Sequence, residues 1–139
     1  MTGQKSYFWG DEDGAVAVEF ALVLPLLLAI LLGIVCFGQY FSIAHSLQQL
    51  AAESARHSVL ELSEANRMAK AEEFILGASS RFPILQSGKV SHAISPATTA
   101  GPGIIVTISY NLSGSAIDLV DGFLGLDIPE VSRSSYLAY

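Results

Sequence analysis

Glu19 is the only formally charged side chain between Ala15 and Phe37, and those residues form the longest apolar run in the 139-residue sequence. An ionisable group in such surroundings is costly without a partner, so the chemistry open to it is to hold a positive charge. The chain can supply that charge itself. Cleavage of the Gly14–Ala15 bond would create an α-amino group one helical turn from Glu19, within reach of the carboxylate of its own or a neighbouring subunit. Left uncut, Glu19 reads instead as an acid at a helix end, near enough to the interface to stay hydrated.

The element that must position Glu19 is a membrane helix. Roughly 20 residues at about 1.5 Å rise each cross the hydrocarbon core of a bilayer. Leu, Ile, Val and Phe contribute about −0.3 to −0.6 kcal/mol each to insertion and a central acid costs about 2.5–3.5 kcal/mol. The fifteen such residues between Val16 and Phe37 therefore outweigh Glu19. Pro25 lacks a backbone donor and predicts a kink, of a kind membrane helices tolerate. A secretory signal peptide fits poorly, because the start carries one lysine against three acids and the apolar run exceeds about 7–15 residues. Ser42-Ile43-Ala44 does supply a small-x-small site, which leaves cleavage before His45 as an alternative.

Beyond the span, Tyr40, Ile43, Ala44, Leu47, Leu50, Ala51 and Ser54 recur at three- and four-residue spacing, with Ser42, His45, Gln49, Glu53 and His57 on other faces. This predicts an amphipathic continuation of the same helix to about Leu60, roughly 67 Å from Val16 by its rise per residue. Ser63 is placed to cap a second helix ending near Leu76 and closed by Gly77, with Ala65, Met68, Ala69 and Ile75 facing inward. Turn-forming residues at 81–83 and 95–103 separate two strands, Val90 to Ile94 and Ile104 to Leu112. In the second, Ile104, Val106, Ile108, Tyr110 and Leu112 alternate with Ile105, Thr107, Ser109 and Asn111, so one side should face a core. Ser115 to Leu124 reads as a short helix or an apolar loop, and Val131 to Tyr139 as a last strand pairing with the one at Ile104.

The expected fold class is α+β: a long N-terminal membrane-spanning helix running into an amphipathic helix, packed on an antiparallel sheet of about three strands. So few strands need such cover to be stable. The expected divisions are a leader at 1–14, a transmembrane helix at 15–37, its amphipathic extension at 38–60 and a small extracytoplasmic domain at 61–139. The first fourteen residues are expected to be disordered or removed.

Gly14 followed by Glu19 and Phe20 resembles the processing site of the type IV pilin superfamily. More narrowly, Gly14-Ala15-Val16-Ala17-Val18-Glu19-Phe20-Ala21-Leu22-Val23-Leu24-Pro25-Leu26-Leu27-Leu28 is similar to the opening of TadE-like proteins, minor pilins or pseudopilins of tight adherence (Flp) pili. Leu50-Ala51-Ala52-Glu53-Ser54-Ala55-Arg56 resembles their alanine-rich segment with its closing arginine, and Ile105-Val106-Thr107-Ile108-Ser109-Tyr110 their strand. The resemblance implies cleavage between Gly14 and Ala15 by a prepilin peptidase, and pairing of Glu19 with a subunit's free N-terminus. It also implies partners: other pilin and minor pilin subunits, an inner-membrane assembly platform and the lipid bilayer. The N-terminus would be cytoplasmic and the C-terminal domain extracytoplasmic, with a place in an extracellular pilus. Asp11, Glu12 and Asp13 stand where pilin leaders usually carry a basic residue. Phe20 stands where the major pilins of this system prefer tyrosine, which implies a minor component.

Other chemistry is poorly supplied. Cys36 is the only cysteine, so no intrachain disulfide can form. His45, His57 and His92 share no metal-binding spacing, and Asp118 and Asp121 lack a third oxygen ligand at calcium-loop spacing. No nucleophile elbow or phosphate-binding glycine loop occurs. Asn111-Leu112-Ser113 forms a glycosylation sequon, which has meaning only in a eukaryotic secretory context. Net charge is −6, of which the leader holds −2 through Lys5 against Asp11, Glu12 and Asp13; this disfavours nucleic acid. The sequence therefore predicts a structural protein with no catalytic residues, metal or cofactor. A membrane-anchored binding domain or accessory subunit, never processed, is the alternative.

Overall fold

The computed structural model describes residues 12–97, 101–125 and 127–139. It opens with helix α1, Glu12–Ser58. Helices α2 (Glu64–Leu76) and α3 (Ala78–Arg81) follow. Strand β1 (Val90–Ala97) leads to β2 (Gly103–Asn111), helix α4 (Ala116–Leu124) and strand β3 (Glu130–Ala138). The class is α+β, with one antiparallel sheet in the order β1-β2-β3. By contacts the chain divides into two units, one ending at Val35 and one running from Cys36 to Tyr139.

Helix α1 is already formed at Glu12, so the expected start at Val16 is corrected by four residues, and its end at Ser58 falls two short of Leu60. The expected disorder or removal of the first fourteen residues concerns mainly residues 1–11, which lie outside the described part; the backbone of residues 12–14 is helical. From Cys36 onward α1 is amphipathic, as its spacing predicts. Ile43, Ala44, Leu47, Leu50, Ala51 and Ser54 are all buried, while Ser42, His45, Gln49 and His57 are exposed. Ala55 and Ser58 extend the stripe. Buried Ser54 and Ser58 satisfy their hydroxyls by donating to the carbonyls of Ala51 and Ala55, at 3.0 and 2.7 Å. Such back-bonding lets a polar side chain be buried without an orphaned group.

The stripe packs on one face of the sheet. Ile104, Val106, Ile108 and Tyr110 of β2 share a hydrophobic core with Ile43, Leu47, Leu50 and Ala51. Register places Ile94 beside Val106 and Val131 beside Tyr110, so all three strands contribute to that face. The opposite face carries exposed Ser91, Ala93 and Ser95 on β1, and exposed Ser132, Ser134 and Tyr136 on β3. Their central neighbours Ile105, Thr107 and Ser109 are half-buried. Strand β1 runs past the expected end at Ile94 as far as Ala97, through Pro96. A proline is tolerated there because β1 is an edge strand, where a missing N–H costs no ladder bond.

Ser63 caps α2 as expected, its hydroxyl accepting from Asn66 N at 3.2 Å, and Gly77 closes the helix. The inward face of α2 differs from the expected one. Ala65 and Ala69 are exposed, whereas Ala71 and Ile75 are buried and Arg67, Met68 and Phe74 half-buried. Aromatic stacking sets this rotation. The Phe74 ring lies between His57, 4.5 Å away by ring centroids, and the Arg81 guanidinium, 3.7 Å from the ring centre. Arg81 also donates to the Phe74 carbonyl. Arg67 in turn stacks 3.7 Å over the ring of Tyr139. Cations over aromatic faces are worth about 0.5–1 kcal/mol each at exposed sites.

Gly103 marks a close approach. A Cβ added there would stand 2.7 Å from both the Leu137 carbonyl oxygen and the Tyr136 ring. Gly103→Ala must therefore push β2 from β3, and we expect a loss of about 1–3 kcal/mol of stability, as for other overpacked sites. Thermal unfolding of the full chain in detergent measures it, with Gly88→Ala, where an added Cβ meets open space, as the comparison.

Candidate functional site

Glu19 sits on a helix that is apolar all round. Val16, Val18, Phe20, Leu22, Leu26, Ile30, Leu32 and Val35 are each more than half exposed, although they point in every direction around α1. An amphipathic helix of a water-soluble body buries one stripe; a helix apolar on all sides is a membrane span or a buried core helix. This one is not covered, since only 6% of its most apolar window is buried. Helix α1 is thus long and apolar enough to cross a bilayer.

Within the span, α-helical backbone from Gly14 through Phe20 places Ala15 and Glu19 four residues apart on one face. All four residues of the expected site, Gly14, Ala15, Glu19 and Phe20, are exposed, with Phe20 at 59%. Glu19 makes no ion pair among the described residues. The Gly14–Ala15 bond is accessible but helical, so a protease that reads extended substrate must first unwind about one turn. Pro25 lies inside α1, one and a half turns beyond Glu19.

The remaining titratable groups have structural occupations. Asp118 accepts from Gly114 N at 2.8 Å, and its own N–H donates to the Ser115 hydroxyl at 3.2 Å, a reciprocal cap at the start of α4. Asp121 accepts from Ile128 N at 3.2 Å. His45 bonds Gln49 at 3.0 Å on the exposed side of α1, and His57 stacks on Phe74. His92 stands 3.7 Å from Glu72, an ion pair whenever the imidazole is protonated. Among the described residues no three His, Cys, Asp or Glu side chains come together as a metal-holding group.

Lys70 and Glu73 form the closest ion pair, 2.7 Å apart. The hydrogen bond and charge of Glu73 raise the Lys70 pKa, and those of Lys70 lower the Glu73 pKa. The Glu73 contribution is lost as pH falls through its depressed value, and the Lys70 contribution as pH rises through its elevated one. Both side chains are solvated, so the pair adds little at any pH between.

Arg56 is exposed in the last turn of α1, where a cation suits the negative end of the helix dipole. Cys36 is buried and donates weakly to the Ala116 carbonyl at 3.5 Å, which ties the end of the apolar run to the first residue of α4. No sequence pattern foretold that contact, because residues eighty positions apart carry no shared periodicity.

Residues 14–56 match the family described as TadE-like protein. The match begins at Gly14 and closes on Arg56, and so takes in the span and most of the amphipathic stripe. No curated protein and no solved structure matches the chain.

Proposed function

From the premise that residues 14–56 are a TadE-like segment, we propose that this protein is a minor pilin or pseudopilin of a tight adherence pilus. It acts structurally, in assembly or priming, after a prepilin peptidase cuts between Gly14 and Ala15. The observation that carries this reading is the isolated Glu19 carboxylate, exposed on an all-round apolar helix one turn from Ala15. A charge so placed is uncompensated until a cation arrives, and the free α-amino group of a processed subunit supplies one of matching size and position.

In this reading the N-terminus of α1 faces the cytoplasm and the sheet-bearing unit lies outside the inner membrane. Neighbouring pilin subunits and the inner-membrane assembly platform take the place of lipid against the span as the subunit is incorporated. Pro25 supplies a weak point, since a proline in a helix interior removes one backbone bond and costs about 3 kcal/mol in a soluble helix. The reading assigns no catalytic residue, cofactor or nucleic-acid contact.

Two other readings remain, and core packing weighs on one of them. Release before His45 would strip Cys36, Ile43 and Ala44 from the hydrophobic core, so a secreted domain starting there would lack part of its own interior. The unprocessed membrane anchor meets no such objection. Intact mass and N-terminal sequencing of the protein from its native membranes separate the three. We expect Ala15 at the terminus. Met1 would leave a membrane-anchored domain, and His45 a secreted one.

A further inference from the structure

Helix α4 leaves part of its apolar face uncovered. Ile117 is buried and Ala116 and Val120 pack against the core, yet Leu119 and Phe123 at the flank of that face and Leu124 at its end are 77, 88 and 58% exposed. The two acids of the helix do not offset this, because the carboxylates of Asp118 and Asp121 are turned to the backbone N–H groups of Gly114 and Ile128. A second apolar cluster, Leu60 and Leu62, lies just past the other end of α1, more than twenty residues from Cys36 and hence about 30 Å farther along the chain's rise. The two clusters differ in what adjoins them.

Helix α4 begins where the apolar run ends. The Cys36 thiol donates to the Ala116 carbonyl, so the first turn of α4 stands beside Cys36. At the same level Phe37 and Phe41 are 66 and 64% exposed, with their rings 6.4 Å apart, and Tyr40 meets Phe41 edge-on at 5.8 Å. Of the three, Tyr40 is the type enriched at the headgroup level, and it stands three residues past the apolar run. A nine-residue helix extends only about 13 Å, so none of α4 can be far from that level.

We propose that α4 is an interfacial helix whose Leu119, Phe123 and Leu124 insert into the outer face of the bilayer that α1 crosses. The proposal rests on the membrane-span reading of α1. The occupant of the patch is lipid, and attachment comes from apolar burial about 5–10 Å into the headgroup and acyl boundary. With acids and no cation in α4 itself, anionic lipid adds no attraction. The attachment gives the sheet-bearing unit a second foothold on the membrane, which must be released before the subunit can leave the bilayer.

Single-tryptophan variants of the full chain test this in vesicles of zwitterionic lipid, after the native tryptophan is removed by Trp9→Phe. Phe123→Trp reports on α4, Leu27→Trp on the span and Leu62→Trp on the distant cluster. We expect Phe123→Trp to emit at shorter wavelength than Leu62→Trp. It should lose emission in lipid brominated near the carbonyl end of its acyl chains more than in lipid brominated near the methyl end, with the reverse order for Leu27→Trp. Water-like, unquenched emission from Phe123→Trp beside a quenched Leu27→Trp overturns the inference and spares the span. A blue-shifted but unquenched signal that depends on protein density overturns it in favour of a neighbouring copy. If Leu27→Trp itself escapes quenching, the span reading fails and this inference fails with it.

Discussion

On the proposed pilin reading, Glu19→Ala is expected to leave the protein in the membrane and to remove it from the pilus. The two halves of that result pull in opposite directions, which makes the experiment informative. Deleting an acid from an apolar helix eases insertion, because the acid costs up to about 2.5–3.5 kcal/mol near the bilayer centre. Membrane abundance should therefore hold or rise. Assembly should fall, because the α-amino group of Ala15 loses its counter-charge in a place without water. Breaking one partner of a buried pair costs about 3–5 kcal/mol, equivalent to a loss of roughly two to four powers of ten in association. The measurement is the ratio of this protein in sheared pili to that in washed membranes, by immunoblot, in cells whose other pilins are intact. Glu19→Asp, which keeps the charge and shortens the reach, should recover part of the ratio. An unchanged ratio in Glu19→Ala would place the carboxylate at a hydrated helix end with no partner, and the protein among unprocessed anchors.

Leu50→Ala should unfold the sheet-bearing unit far more readily than any surface change. Leu47 and Leu50 are fully buried, and α1 contributes them to the same core as Val106 and Ile108. Truncating such a leucine costs about 2–5 kcal/mol through lost burial and the cavity left behind. For a unit of this size the drop in Tm is on the order of 10 °C or more. Leu62→Ala is the matched comparison: Leu62 is 97% exposed, so the same truncation should leave Tm unchanged. Thermal unfolding of the full chain in detergent, followed by near-ultraviolet circular dichroism, reads both. Equal shifts for the two variants would mean that the stripe on α1 is not the floor of the core.

Much of this architecture is legible in the sequence, for reasons that also mark its limits. The stripe from Ile43 to Ser54 and the alternation from Ile104 to Leu112 are each one element meeting one core, so periodicity alone assigns their faces. Ser63 and Gly77 bracket α2 correctly because caps are local chemistry. Ser115 to Leu124 stays ambiguous in sequence and is helical in the fold, where Ser115 and Asp118 cap its start and Gly125 ends it in the left-handed region. Ala65 and Ala69 mislead because alanine is at home on either face of a helix, whereas Phe74 is half-buried in the fold. The extension of β1 through Pro96 is hidden because proline and its turn-forming neighbours resemble a loop unless the strand is known to be an edge. Contacts such as Gly103 with Tyr136, or Cys36 with Ala116, join distant segments and leave no local trace. The candidate site is a different case. The spacing of Gly14, Ala15 and Glu19 is fully visible in the sequence, and the fold adds no ion-pair partner for Glu19 among the described residues.

The order of the strands in the sheet is their order in the chain. Every ladder thus joins strands that are neighbours in synthesis, β1 with β2 and β2 with β3, and none must thread past a finished pair. Such sequential topologies close short loops and avoid the slow searches of long-range pairing. The vulnerable interval lies elsewhere. The apolar stripe on α1 is made first, yet Ile104 to Tyr110, which cover it, emerge about fifty residues later. At about 5–20 residues per second the stripe stays bare for several seconds. During that time it is open to proteases and to premature partners, so the nascent chain has most need of a chaperone before β2 appears.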